Sequence, residues 1–277
     1  WTYMHLILLL SITTPLITSH LLHLPYPNDR ISFSLYPPSP ILPSIREYNK
    51  TVACSFRGIG GHWPGTARCD MERIEHLLVK QYITHTSRVL ELGARFGTTS
   101  CALAAATRNT GRVVSVEPDH RVWSYLRSNR QSHRCSIHIV REPVGNTNVV
   151  FRGGNYDSTG VAAPRKVKRD ASGRPLYYTY TELQEAVGFT FTALLIDCEG
   201  CIDRLFEGTG LPLQTLLKDV RVILLEADNP KADNSPCKSQ CVDYESWVEK
   251  FTHLGFRVDK RITDKKFPWI EHFAFTR

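Results

Sequence analysis

The chain has 277 residues, is 42% hydrophobic and 22% charged, and carries a formal net charge of +7. This is the balance of an ordinary globular protein, long enough for one large domain or two small ones. Its basic residues are scattered rather than striped and no RNP, zinc-finger or helix-turn-helix pattern occurs, which argues against nucleic acid as a partner.

From Trp1 to Asn28 there is no Asp, Glu, Lys or Arg. Counted from Met4, the apolar run to Ser19 has the length of a signal-peptide core but lacks its basic leader, and Pro15 interrupts it. It is short for a membrane span, so residues 1–24 are expected to be a signal peptide, a short anchor or an apolar tail docked on the domain. Any contact with a membrane would pass through this segment. Six prolines between Pro25 and Pro43 then predict an extended linker, and 25–69 is read as an N-terminal extension ahead of a domain over 70–277.

Eight cysteines suit an oxidising compartment, as does the sequon Asn49-Lys-Thr51, so the expected location is the secretory pathway, with the cytoplasm as the alternative. Cys54 with Cys69, and Cys237 with Cys241, bracket polar loops and are either disulfides or free buried thiols. Cys198 and Cys201 have metal-like spacing, but one such pair without a second predicts no zinc site, and no metal is expected.

Asp70 to Ile83 reads as an amphipathic helix, capped by Asp70 and apolar at Met71, Ile74, Leu77, Leu78 and Ile83. Next comes the stretch from Arg88 to Ser100. Val89 to Leu92 is a short apolar strand, Gly93 and Gly97 make a turn, and Ser100 to Ala106 is helix-compatible. Glycine allows positive φ and close approach of a ligand, and the helix beginning near Thr98 directs free N–H groups at whatever sits over the turn. Gly111 to Glu117 is a second strand ending in an acid, 20 residues past Gly97, the offset at which a carboxylate grips a ribose diol. A helix over 119–130, a strand over 136–140 and the segment Arg141 to Gly145 follow. Residues 152–175, with Gly153, Gly154 and a basic run at 165–169, read as a surface insertion. A short strand at 177–180, a helix at 181–187 and a strand from Phe191 to Asp197 come next. A strand from Val220 to Glu226, a helix from Tyr244 to Leu254 and a terminal pair of strands close the chain. Strands alternating with helices predict an α/β fold: a Rossmann-like, seven-stranded, mostly parallel sheet with helices on both faces.

Three strands therefore end in acid at one sheet edge: near Glu91, at Glu117 and at Asp197, with Glu199 just beyond. A dinucleotide fingerprint would need a third glycine, and an acid two residues before the first would repel a pyrophosphate. The same acid suits an ammonium group, so the charge pattern fits S-adenosylmethionine better.

These residues carry a resemblance. The chain resembles the class I S-adenosylmethionine-dependent methyltransferases, and among them the FkbM family, over about Val79 to Arg277. Glu91-Leu-Gly93-Ala94-Arg95-Phe-Gly97 matches the family's acid-x-Gly-Ala-Asn-x-Gly with Arg95 in the Asn place. Glu117-Pro118 matches its acid-proline pair. Ile196-Asp197-Cys198-Glu199-Gly200 matches Ile-Asp-Val-Glu-Gly, with Leu195 where the family has lysine.

The resemblance implies the class I methyltransferase fold, with S-adenosyl-L-methionine held by Glu91, Gly93, Ala94, Arg95, Gly97, Thr98, Glu117, Pro118, Glu142 and Asp197. Arg95 would either pair with the methionine carboxylate or point to solvent. The substrate implied is a hydroxyl on a small molecule, a sugar or a secondary metabolite. Asp197 and Glu199 are the candidate bases, with Glu226 behind them. The alternatives are a non-catalytic lumenal or secreted domain that keeps the fold and, third, a nicotinamide oxidoreductase.

Overall fold

A computed structural model describes residues 31–33, 56–57, 72–146, 149–151, 159–161, 176–198, 200–228 and 242–277. Its strands are β1 (Ile31–Phe33), β2 (Val89–Leu92), β3 (Val113–Val116), β4 (Ile137–Val140), β5 (Val149–Phe151), β6 (Thr159–Val161), β7 (Ala193–Ile196), β8 (Val222–Asp228), β9 (Arg257–Thr263) and β10 (Ile270–Thr276). Its helices are α1 (Arg73–Tyr82), α2 (Thr98–Ala106), α3 (Trp123–Ser132), α4 (Tyr180–Val187), α5 (Ile202–Leu205), α6 (Leu213–Leu216) and α7 (Tyr244–His253).

The main sheet has eight strands in the order β1-β4-β3-β2-β7-β8-β10-β9, and β5 and β6 pair separately. From β4 across to β8 the strands run parallel; β10 runs against both of its neighbours, and β1 runs against β4. The chain moves from β2 outward to β4, then returns to place β7 on the other side of β2 and continue outward. This is a doubly wound, Rossmann-like architecture, with its switch point between β2 and β7.

Short strands of this sheet are buried on both faces, which is why they read as short, mostly apolar runs. All four residues of β2, β3, β4 and β7 are buried. Alternate residues feed two cores. Leu90, Val114, Leu194 and Ile196 meet Leu183 of α4, Leu205 of α5 and Phe251 of α7. Val89, Val113, Leu195 and Leu224 meet Val79 of α1, Leu103 of α2 and Leu126 of α3. Helices therefore cover both faces.

The eighth strand is the departure from the seven expected. Ile31–Phe33 falls inside the proline-rich stretch read as linker, yet it pairs with β4 in the register Ile31 to Val140. Ile31 is buried, the Phe33 ring stacks on His138 at 4.0 Å, and the Arg130 guanidinium donates to the Ser32 carbonyl at 2.9 Å. Three residues without proline suffice to add an edge strand.

Two smaller corrections concern local chemistry. Tyr177 to Tyr180 is not a strand: Tyr178 makes one bridge to Val144, and α4 has already begun at Tyr180. Thr179 and Glu182 form a reciprocal capping box, and that earlier cap moves the helix start ahead of Thr181. In α1 the buried residues are Glu75, His76, Leu78 and Val79, while Leu77 is 43% exposed. The N-cap is Glu72 in a left-handed conformation; Asp70, the expected cap, lies outside the described residues, as do Cys54, Cys69, Cys237 and Cys241.

The described cysteines form two disulfides, Cys101–Cys135 and Cys198–Cys201. The first joins α2 to the turn before β4 across a separation of 34 residues, inside the core lined by Leu103 and Leu126. Closing a loop of that size restricts the unfolded chain by about 3–4 kcal/mol. The double substitution Cys101→Ala with Cys135→Ala is expected to lower the unfolding free energy by about 2–5 kcal/mol. Denaturant titration beside the oxidised wild type measures it, and an unchanged midpoint would refute the structural role.

Candidate functional site

The carboxyl ends of β2, β3, β4 and β7 meet in one turn system. The ladders do not stop where the strands do. Gly93 and Ala94 both donate from their N–H to the Val116 carbonyl at 3.0 Å, Glu117 donates to Val140 at 2.8 Å, and Asp197 donates to Leu92 at 3.0 Å. The chain after β2 is thereby pressed against the chain after β7. Gly93 has φ +95°, and a Cβ there would lie 1.6 Å from the Asp197 carbonyl oxygen. Only glycine fits so close an approach of two backbones.

Arg95 also takes a left-handed conformation, φ 44°. For a side chain of that size this costs about 1 kcal/mol. Its N–H donates to Glu117 Oε2 at 2.7 Å, which holds the turn in place. The asparagine of the resembling motif adopts this region more readily. The guanidinium lies 5.5 Å from the centre of the Phe96 ring, and its charge acts on Glu117.

Glu117 is the best-anchored acid of the turn. Its Oε2 accepts from Arg95 N–H, its Oε1 accepts from Asp119 N–H at 2.7 Å, and its carbonyl accepts from the Trp123 indole at 2.6 Å. Each carboxylate oxygen keeps a second lone pair, so two hydroxyls of a diol can still be received. Burial raises its pKa to about 7, opposed by those two backbone donors. Pro118 follows it directly. Glu142 is buried beyond the end of β4, beside Arg141, whose guanidinium lies 5.0 Å over the Trp123 ring.

Glu91 plays a different part. It is fully buried on the face covered by α2 and its Oε2 accepts from Ser100 Oγ at 2.5 Å, tying β2 to the first turn of the helix. Burial raises its pKa to about 7. Thr98 donates its hydroxyl to Glu72, and Thr99 reaches Glu72 at 2.7 Å and Glu75 at 3.1 Å. Thus the hydroxyls that open α2, behind the left-handed Gly97, are spent on acids at the start of α1.

The residues singled out in the sequence, Glu91, Gly93, Ala94, Arg95, Gly97, Thr98, Glu117, Pro118, Glu142 and Asp197, all lie along this edge. Glu199 is outside the described residues. Sequence reasoning named Glu226 as a weaker base candidate but missed Glu75, His272 and the set the three form. Glu75 of α1, Glu226 of β8 and His272 of β10 bring one donor atom each to within 4.8 Å of one another. Glu226 and His272 are direct cross-strand partners, with Nδ1 3.5 Å from Oε2. Burial, then the charge of Asp197, raises both glutamates well above the ordinary carboxyl range; Asp197 and Glu226 follow the paired residues Ile196 and Leu225 of neighbouring strands. Burial lowers His272 to about 4, so its ring is neutral at pH 7. A signal existed: Glu75 stands three and four residues before Leu78 and Val79, on the stripe a helix buries.

No protein-family model and no curated relative matches the chain. Solved structures with related architecture include a Klebsiella pneumoniae protein described as an O-methyltransferase, 15% identical at TM-score 0.44, covering 88% of this chain and 92% of that one. An O-methyltransferase from Bacillus cereus in complex with SAH is 14% identical at TM-score 0.42, covering 86% of this chain and 93% of that one. Fibrillarin from Aeropyrum pernix, with natively bound S-adenosyl-L-methionine, is 12% identical at TM-score 0.39 and covers 74% of each chain. At these values the fold rests on strand order and register, and the site on its own chemistry.

The buried Glu91 makes stability depend on pH. Its pKa rises from 4.5 unfolded to about 7 folded, so the folded state holds the extra proton between those values. Its contribution is present below about pH 4.5 and is lost as pH rises through 7. At about 1.4 kcal/mol per unit the upper bound is about 3 kcal/mol. Glu91→Gln, which stays neutral, should flatten the fall in unfolding free energy between pH 5 and 8. Equal slopes in the two proteins would show that Glu91 does not titrate there.

Proposed function

We propose that this chain is an S-adenosyl-L-methionine-dependent methyltransferase of the FkbM type that methylates a hydroxyl of a small molecule or sugar. One observation carries the reading. At the switch point between β2 and β7, Gly93 lies against the Asp197 backbone, and beside it Glu117 is held by two N–H donors with lone pairs to spare. Open α/β sheets take their ligands at that place, and a carboxylate at the tip of the second strand suits a ribose diol.

The cofactor supplies the electrophilic methyl group, so the chain has to align a nucleophile and take its proton. Glu117 would hold the ribose, and the turn from Gly93 to Gly97 would lie along the methionine portion. Glu142 and the Arg141–Trp123 pair lie where the adenine would be enclosed. Asp197, at the end of β7, would receive the proton of a substrate hydroxyl, with Glu199 as the other candidate.

The compartment we propose is the lumen of the secretory pathway. Both disulfides among the described residues support it, since such bridges persist where thiols are oxidised.

Calorimetric titration with S-adenosylmethionine, S-adenosylhomocysteine and NAD tests the reading. Binding of the first two and not the third is expected. Glu117→Ala should weaken S-adenosylmethionine by about 1.5–3 kcal/mol, the scale of hydrogen bonds to a charged acceptor. Full affinity in a folded variant would remove Glu117 from the ribose. A folded wild type that binds neither sulfur compound would favour a non-catalytic domain. With a substrate in hand, Asp197→Asn should lower kcat by about 10²–10⁴ while leaving cofactor affinity nearly intact; a wild-type kcat would exclude Asp197 as the base.

A further inference from the structure

The polar set formed by Glu75, Glu226 and His272 sits in the layer between α1 and the sheet, at its carboxyl edge. Glu226 shares a sheet face with Leu224, and His272 shares one with Ala274; both of those apolar residues belong to the core under α1 and α2. A buried acidic layer there lowers stability, and a core of this kind would normally be apolar. Glu75 and His272 are each 4% exposed. Among the described residues no lysine or arginine forms an ion pair with Glu72, Glu75 or Glu226. Of the nearby hydroxyls, that of Thr98 is given to Glu72, and that of Thr99 has a single proton for both Glu72 and Glu75. His272 Nδ1 is buried without a hydrogen-bond partner and lies 3.5 Å from Glu226 Oε2. Three donor atoms from three elements therefore converge within 4.8 Å, with no lysine or arginine among the described residues paired to them.

We infer that Glu75, Glu226 and His272 form a binding site for one divalent transition-metal ion. The donor set, two carboxylates and one imidazole, suits Mn²⁺, Fe²⁺ or Zn²⁺ better than Ca²⁺ or Mg²⁺, which favour oxygen alone. Ligand atoms around such an ion stand about 3 Å apart in cis and about 4 Å apart in trans, given bonds of about 2.0–2.2 Å, so a pair at the 4.8 Å limit closes by roughly 0.5–2 Å of side-chain movement when the ion binds. The Thr99 hydroxyl, on Glu75 Oε2, orients that ligand from outside. Three protein ligands leave positions for water or for a ligand oxygen arriving on the Asp197 side. The absence of a paired cysteine knuckle says nothing against this site, whose ligands contain no sulfur. The inference stands on these side chains alone and does not require that the protein transfer methyl groups.

The test uses the full chain, stripped with EDTA and checked for fold by circular dichroism. Titration with MnCl₂ followed by electron paramagnetic resonance should show one ion bound per chain, and ZnCl₂ should compete for it. Pulsed resonance on the Mn²⁺-loaded wild type should show ¹⁴N coupling from one imidazole, a readout that needs no variant. Glu226→Gln and His272→Asn should each weaken Mn²⁺ by at least about 100-fold, beyond the loss typical of outer-shell partners. The rise in melting temperature that Mn²⁺ gives the wild type should vanish with them. A folded wild type with no bound Mn²⁺ or Zn²⁺ at millimolar metal, bound Mn²⁺ without ¹⁴N coupling, or undiminished binding in folded variants would each overturn the site.

Discussion

The backbone after β2 and the backbone after β7 touch at Gly93 and Asp197, and the arrangement of the carboxyl edge follows from that contact. With no Cβ at position 93, the Asp197 carbonyl can lie where any other residue would put a side chain. Asp197 N–H can then bond Leu92, and Gly93 and Ala94 can both bond Val116. Three strand ends are drawn into one turn, and the helix α2 leaves it behind a second left-handed glycine. The alignment of acids at the switch point is a consequence of this packing.

That alignment has an energetic cost which the surrounding chemistry offsets unevenly. Glu117 is compensated by two backbone N–H groups and by the charge of Arg95. Glu91 is compensated by the Ser100 hydroxyl, which binds the strand to its following helix. Glu75 and Glu226 have no such partners in proportion to their charge, and the largest charges acting on them come from other carboxylates. Buried carboxyls of this kind are either held neutral or matched by an ion. Glu117 and the acid-imidazole set thus differ in kind although they share one edge.

The N-terminal third of the chain shows how little of a segment is needed to alter an architecture. Ile31–Phe33 joins the sheet through three backbone pairs, a buried isoleucine and a ring stacked on His138. His138 can be stacked on because its ring is neutral, burial lowering its pKa to about 4, while Nε2 is taken by the Gly111 carbonyl. Asn129 similarly fixes residue 57 by donating to its carbonyl and accepting from its N–H. These contacts close the β4 edge and the α3 face with polar side chains that carry no periodic signal.

The alternation of buried strand and helix was legible in the amino-acid order, because strands buried on both faces must be short apolar runs and helices must repeat every three to four residues. The turn from Glu91 to Gly97 and the acids Glu117 and Asp197 were legible for the same reason: glycine and a strand-terminal carboxylate are local requirements. What the order could not decide was which way a polar residue faces. Glu91 reads as an acid at the sheet edge, and its side chain turns into the α2 face, because alternation along β2 puts it on the side of Val89. Glu75, Glu226 and His272 lie 151 and 46 residues apart in the chain, and no local rule relates a helix residue to two strand residues at such distances. Only the packing of α1 across β8 and β10 brings them together, since a side chain's partners are set by the elements stacked on it and local sequence sets only the element to which it belongs.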